Sequence, residues 1–322
     1  MTFPHNHPDF DDLLRIVAGK RKLSTALVEK DYWVTHTLWA LHQLGLEIWF
    51  KGGTSLSKGF GLIERFSEDL DLKIEPGTAK ALPAVESWRS EGKTAVADRK
   101  AFFAALSKVL LVSDAKVSED PGFEDRSHRS AQFRVTYPGK HRAALAQTMK
   151  PFVLLEVGSA RVTPFVERDM TSFVHEELAA LGQLGDFDDN RPRAVRCVHP
   201  LVTLLEKLDA LHRRVPRADV APATFVRHFE DSAGIIAGEK ELPRLEGYDG
   251  PGALAEEMLA QRQLAALPSA ADRAFLPDAS DRFREIRRGH EAITLIFWGQ
   301  RVELDEACAR IRGWISGRLS RK

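Results

Sequence analysis

Cysteine is scarce in this chain. Cys197 and Cys308 are the only two among 322 residues, and they stand far apart. With no C-x-x-C pair, neither a structural zinc site nor a disulfide framework is expected, which suits a reducing compartment. An excess of one charge is missing as well: Lys plus Arg number 46, and so do Asp plus Glu. Net charge therefore points to no class of partner, and a nucleic-acid binder with this balance would need a local basic patch. No apolar run approaches the ~20 residues that span a bilayer. The N-terminal MTFPHNHPDFDD lacks a basic segment followed by an apolar one, so no signal peptide is expected. Internal repeats and low-complexity tracts are absent. These absences predict a cytosolic protein with no membrane contact. The length and the apolar fraction of 43% allow a sizeable core and two domains.

What is present reads first as helix. Apolar residues recur at helical spacing over residues 9–18 and 24–44, with Ser24 placed to cap the second helix and Gly45 to end it. LEIWF (46–50) reads as a short buried strand, and Gly52-Gly53-Thr54-Ser55 turns the chain into a helix start. A second strand is expected over 69–74, stopped by Pro76-Gly77. Residues 80–112 read as helical with a loose polar centre. Strand character returns over 116–137, where AQFRVTYP alternates as an exposed strand does. PFVLLEVGS (151–159) reads as a buried strand with one acid, Glu156, inside it.

A boundary is expected at 192–200, with helices beyond it. Leu201, Leu204, Leu205, Leu208 and Leu211 fall on one helical face. FVRHFEDSAGIIAG reads as another helix, 247–277 as loops, and RFREIRRGHEAITLIFWG and ELDEACARIRGWISGRL as two closing helices. The pattern predicts an α+β protein. Helices at 1–45 pack on a mixed-sheet core at 46–190, followed by a helical domain at 191–322.

The chemistry sits in KGGTSLSKGFGLIERFSEDLDLKI, residues 51–74. Residues two apart on a strand face the same side. Arg65, Ser67, Asp69 and Asp71 thus form a polar row, opposite Phe66, Leu70 and Leu72. Two carboxylates so close repel unless a cation lies between them. Mg²⁺ (or Mn²⁺) takes hard oxygen ligands, usually one or two carboxylates plus substrate phosphates. Two such ions activate an attacking hydroxyl and stabilise leaving pyrophosphate. Glu156 is the candidate third acid, from an adjacent strand.

Gly52 and Gly53 allow close approach to a ligand, and Thr54 and Ser55 can cap or donate. A helix starting here would aim its N–H groups at a triphosphate. No Gly-Lys-Ser/Thr follows at Walker A spacing, which argues against a P-loop ATPase. Singly, a D-x-D is commonly a solvated strand face and a G-G-T-S commonly a plain turn. A strand, that turn and a D-x-D in sequence point together to a metal–nucleotide site.

These residues resemble the signature of the AbiEii nucleotidyltransferases, a group that includes the MenT toxins. They are toxin halves of bacterial abortive-infection (phage defence) and toxin–antitoxin pairs. The family pattern G-G-T-[SA]-L, then R-x-S-x-D-x-D, is matched at Gly52, Gly53, Thr54, Ser55, Leu56, Arg65, Ser67, Asp69 and Asp71. Upstream, VEKDYWVT (28–35) resembles the family's N-terminal helix. HPLVTLLEKLDALHRR (199–214) resembles its P-x-x-T-L-x-E-K-L-x-A-L-x-x-R helix, with Lys207 on the lysine. RHFED aligns with R-D-x-Y-D: Arg227 and Asp231 match, while His228 and Glu230 stand where Asp and Tyr are usual. The resemblance spans residues 9–238.

The resemblance implies a polymerase-beta-like nucleotidyltransferase core in which Asp69 and Asp71 bind metal and Gly53 and Ser55 hold the triphosphate. It further implies that Lys207 contacts phosphate and that Asp231 is another catalytic acid. From the residues alone, Lys207 also reads as a solvent-facing helix lysine, and Asp231 reads first as an ordinary helix-surface acid. The implied reaction moves NMP from an NTP to the 3′ end of tRNA, which blocks translation, and a cognate antitoxin is the implied partner. The rival enzymes are a protein nucleotidylyltransferase and a phosphotransferase moving the γ-phosphate. The non-enzymatic rival is a nucleotide- or RNA-binding regulator.

Two basic groups bear on the acceptor. One holds Arg126, Arg129, Arg134, Lys140, His141 and Arg142; the other holds Arg191, Arg193, Arg196, Arg213, Arg214 and Arg217. Beside the acidic site they would grip RNA. Asp209 and Arg213 read as a helix ion pair. His5 and His7 read as a frayed terminus or a chelating pair, and His228 as a surface histidine or a base.

Overall fold

Two helices, α1 (Phe10–Arg21) and α2 (Thr25–His42), open the chain where apolar spacing places them. Lys22 ends α1 in the left-handed region, and the Ser24 hydroxyl accepts the Leu27 N–H at 3.2 Å to begin α2. α2 is buried on nearly every side, including three consecutive charges, Glu29, Lys30 and Asp31. The structure is a computed structural model that describes residues 1–67, 69–75, 81–145, 149–159 and 161–319.

Seven strands form one mixed sheet. They are β1 (Glu47–Lys51), β2 (Asp69–Glu75), β3 (Lys116–Glu119), β4 (Ser130–Thr136), β5 (Val153–Gly158), β6 (Phe165–Arg168) and β7 (Val195–Val198), in the order β3-β4-β5-β2-β1-β7-β6. β2 lies near the middle, antiparallel to β1 and parallel to β5. β4 runs antiparallel to β5 and to β3.

Register sorts the side chains by face. Ile48, Phe50, Leu70, Leu72, Phe133, Val135, Leu155 and Val157 share one side and are all buried. Each buried side chain of this kind contributes about 1.5–3 kcal/mol. Asp69, Asp71, Gln132 and Glu156 share the other side.

The expected α+β class with a mixed sheet is what forms, but several segments differ in detail. Of residues 80–112, Lys80 lies outside the described residues, 81–92 is irregular, and the helix is Lys93–Val109. The buried Arg99 guanidinium donates to the carbonyls of Ser87, Ser90 and Ser127, giving the irregular stretch its partners without a helix. The Pro76-Gly77 stop also lies outside the described residues. AQFRVTYP is an inner strand, because the short β3 covers part of it. Residues 192–200 contain β7, which pairs with β1. Within 247–277 lies the helix Pro251–Ala260, whose Pro-Gly start reads as loop but suits a first helical turn. For RFREIRRGHEAITLIFWG, the α-helix is Asp281–Ala292, a short 3-10 turn at Thr294–Ile296 follows it, and the chain is extended at Phe297.

The chain divides into two compact units. The first holds Met1–Gly59, Ser67–Val162 and Glu167–Cys197, so the opening helices belong with the sheet. The second holds Phe60–Phe66, Thr163–Val166 and Val198–Lys322. Leu201, Leu204, Leu205, Leu208 and Leu211 are all buried in it, on the helix Pro200–Arg214.

A hydrogen-bonded string runs through the first unit. Asn190 bonds the Tyr32 hydroxyl (2.9 Å), His36 (2.8 Å) and His175 (2.7 Å), and His175 bonds Ser172 (2.7 Å). His5 joins at Tyr32 (2.7 Å), with its ring 4.6 Å from that of Trp33, so the terminus is packed rather than frayed. Burial pushes the His36 and His175 rings down to about 4 from 6.5, so both are neutral in the folded protein. Their stabilising contribution is complete above pH 6.5 and is lost as the pH falls toward 4. Urea unfolding at pH 7.5 and 4.5 should differ by about 2–3 kcal/mol per histidine. Equal stabilities at the two pH values would contradict this account of the string.

Candidate active site

β1 ends at Lys51, and the next residue has to be glycine for two reasons. Gly52 has φ +78°, and a Cβ placed there would lie 1.8 Å from Asp71 Oδ2. The main chain of the turn thus lies directly against the D-x-D carboxylate. Gly52–Thr54 forms one helical turn, which Ser55–Gly59 continues as a π-helix. Thr54 Oγ1 donates to the Asp69 carbonyl at 2.7 Å, tying the turn to β2. Gly53, Thr54 and Ser55 are buried. The Ser55 hydroxyl faces the Cys197 thiol, which burial pushes up to about 12 against the pull of that hydroxyl. Both hydroxyls of the motif therefore face inward.

Asp69 and Asp71 project from one face of β2, and Asp71 lies directly across from Glu156 on β5. One carboxylate oxygen from each of the three lies within 4.8 Å of the others, and all three residues are half-buried. At such distances two unit charges repel by about 3 kcal/mol at an effective dielectric near 20. Ser67 Oγ donates to Asp69 Oδ1 at 2.9 Å, and Gln132 Nε2 donates to Glu156 Oε1 at 2.8 Å. Gln132 stands opposite Glu156 on β4. Sequence reading passed over it, because the polar phase of AQFRVTYP marks its face but not its register. The donor set is three hard oxygens, the kind Mg²⁺ or Mn²⁺ takes, so the residues fit such an ion.

Arg65, Lys207 and Asp231 come together in the second unit. Arg65 grips Asp231 with two bonds of 2.7 Å, and Lys207 Nζ adds a third at 2.8 Å. Asp231 is fully buried, and Arg65 and Lys207 are nearly so. Burial works to raise the Asp231 carboxyl, but Arg65 and then Lys207 overcome it and hold the acid far below the usual carboxylate range. His228 lies 3.5 Å from Lys207, and burial together with that ammonium pushes its ring well below 6.5.

Glu230 has a structural role, accepting from Arg301 at 2.7 Å and from the Val302 N–H at 2.8 Å. Gly234 is a further close approach, since a Cβ there would lie 2.5 Å from the Leu62 carbonyl. That contact lets the segment carrying Arg65 lie along the helix Arg227–Ala237.

The basic groups are largely paired. Arg134 meets Asp120, Arg191 meets Asp189, Arg193 meets Asp169 and Arg217 meets Asp219, each within 3 Å. Arg213 pairs with Asp209 as expected, and Arg196 lies over the Trp49 ring.

Two predictions separate the acid groups. Asp231→Ala would leave Arg65 and Lys207 buried without a counter-charge and should destabilise the protein by about 3–5 kcal/mol in urea. Asp69→Asn should leave unfolding free energy unchanged or raised, because repulsion is relieved. Equal losses in the two experiments would show that the groups do not differ in this way. Gly52→Ala should cost at least tenfold in nucleotidyltransferase activity, measured as pyrophosphate release. Undiminished activity would mean the approach to Asp71 is dispensable.

The family model "Nucleotidyl transferase AbiEii toxin, Type IV TA system" matches residues 37–295. Among solved structures, MenT4, a nucleotidyltransferase toxin from Mycobacterium tuberculosis H37Rv, is 16% identical. That match covers 93% of this chain and 99% of the other, with a TM-score of 0.40. JHP933 from Helicobacter pylori is 12% identical over 91% of this chain and 94% of its own, with a TM-score of 0.39. At such scores neither superposition bears on the fold. No curated protein sequence matches. No helix among the described residues is long and apolar enough to cross a membrane. The family match covers most of the chain, including both acid groups, and on it the chain belongs to the AbiEii family of nucleotidyltransferase toxins.

Proposed function

We propose that this toxin transfers NMP from an NTP to an acceptor hydroxyl at the 3′ end of tRNA, and that it does so with Mg²⁺ or Mn²⁺. The supporting observation is the convergence of Asp69, Asp71 and Glu156 beside the Gly52 turn. Asp69, Asp71 and Glu156 would hold the metal. When bound, it neutralises their charge and that of the triphosphate, making the α-phosphorus easier to attack.

The chain's own residues do the rest. The main chain of Gly52 and Gly53 would receive the phosphates, since the Thr54 and Ser55 hydroxyls point inward. Ser67 and Gln132 keep Asp69 and Glu156 oriented through one oxygen each. The acceptor oxygen bonds to the α-phosphorus, the bond to the β-phosphate oxygen breaks, and pyrophosphate leaves. The proton of the hydroxyl passes to solvent.

Lys207 is the proposed phosphate contact of the second unit, with Arg65 beside it. We assign to Asp231 the orientation of these two cations, because its carboxylate accepts from both. Blocking tRNA ends would stop translation, and a cognate antitoxin in the cytoplasm would restrain the toxin. The family's type IV toxin–antitoxin description supports that partner.

Protein is the second acceptor class, and the pairing of the arginines favours keeping it in view. Purified protein with Mg²⁺, total tRNA and each α-³²P-labelled NTP in turn decides between them. Label should appear on tRNA with a preferred NTP and vanish in Asp69→Ala/Asp71→Ala. Label on a protein band instead would replace the RNA acceptor, and transfer that survives the double substitution would overturn the carboxylate mechanism.

A further inference from the structure

Asp31 and Lys58 belong to neither acid group, yet they form a buried ion pair. Lys58 Nζ lies 2.5 Å from Asp31 Oδ1, with the two side chains 12% and 5% exposed. Lys58 also donates to the Thr171 carbonyl at 3.0 Å. The second Asp31 oxygen accepts the Phe173 N–H at 2.8 Å. Taking two charges out of water is costly, and an apolar pair of the same volume is often as stable. Where such a pair adds little net stability, its directed bonds still fix the geometry of the groups it joins.

The geometry it fixes is that of the glycine turn. Lys58 sits in the π-helix Ser55–Gly59, the continuation of Gly52–Thr54. Such turns are rare and appear mostly as single turns within α-helices, frequently at functional sites. At its front the turn is held by Thr54 on Asp69, with Gly52 against Asp71. At its back it is held by Lys58 on α2, and Gly59 is packed so that a Cβ would lie 3.3 Å from Cys197 and Met170. Asp31 is the last of the three buried charges of α2. The other two also reach loops: Glu29 accepts the Lys140 N–H at 2.9 Å, and Lys30 donates to the Lys150 carbonyl at 2.8 Å.

We infer that Asp31 and Lys58 are positioning residues that clamp the back of the Gly52–Gly59 turn, so that its main chain keeps its place against Asp71 to receive nucleotide phosphates. The inference rests on the nucleotide role proposed for that turn. Neither residue touches the reacting atoms.

Two readouts test it in the full-length protein, on Asp31→Asn, Lys58→Met and the apolar double variant Asp31→Leu/Lys58→Met. Native-state hydrogen exchange reports on the turn whether or not nucleotide binds. In both single variants the acceleration at amides 53–57 should exceed that at amides of β1, β2 and β5 at least tenfold, because breaking a buried pair also lowers global stability. Titration with Mg²⁺–NTP should show Kd raised about tenfold in each single variant and no further in the double one, because the pair acts as a unit.

Unchanged exchange in the turn would overturn the clamp, whatever nucleotide binding does. Equal acceleration in the strands would reduce the pair to a general stability role and overturn it too. Binding lost in Lys58→Met but kept in Asp31→Asn would make Lys58 a direct phosphate ligand instead. A loosened turn in a protein whose wild type binds no nucleotide would keep the clamp and overturn the nucleotide reading of the turn.

Discussion

The mutual repulsion of three carboxylates within 4.8 Å explains most of what surrounds them. Left alone, such a group would push its strands apart. It stays together because the opposite face of the same strands is continuously apolar and buried, from Phe50 through Leu70 and Leu72 to Leu155 and Val157. One residue's shift in register would exchange those faces, so the core that stabilises the sheet also fixes the acids in place. Gln132 and Ser67 then orient two of the three carboxylates. Gly52 removes the side chain that would otherwise fill the space beside Asp71.

The second acid group obeys the opposite rule. Asp231 carries its own counter-charges, Arg65 and Lys207, and is sealed from solvent with them. Its donors are two cations, whereas the β2–β5 group brings three carboxylates, Asp69, Asp71 and Glu156, together.

Much of this was legible in sequence, and the reason is local. Side-chain direction along a strand follows from spacing alone, so the shared face of Asp69 and Asp71 could be read from one segment. The same holds for the leucine face of the helix Pro200–Arg214. What could not be read depends on partners far along the chain. Gln132 meets Glu156 only through the β4–β5 register. Lys207 and Asp231 are helical residues that meet each other across two helices, and Asp231 meets Arg65, far earlier in the chain. Thr54 and Ser55 look like phosphate donors in a glycine turn, but the turn continues as a π-helix that directs both hydroxyls inward. Arg99 hides similarly, since a buried arginine that organises loops is indistinguishable in sequence from a surface one.

The equal numbers of positive and negative residues acquire a structural meaning in the same way. Many of the arginines that sequence groups into basic clusters are neutralised one by one, by Asp120, Asp189, Asp169, Asp209 and Asp219. Paired arginines release few counterions on meeting a polyanion, because a carboxylate already occupies the place of a phosphate. An RNA acceptor would therefore be held by few backbone contacts, and its binding would depend only weakly on salt. Selection of the acceptor would then rest on the reacting end itself rather than on a long basic track.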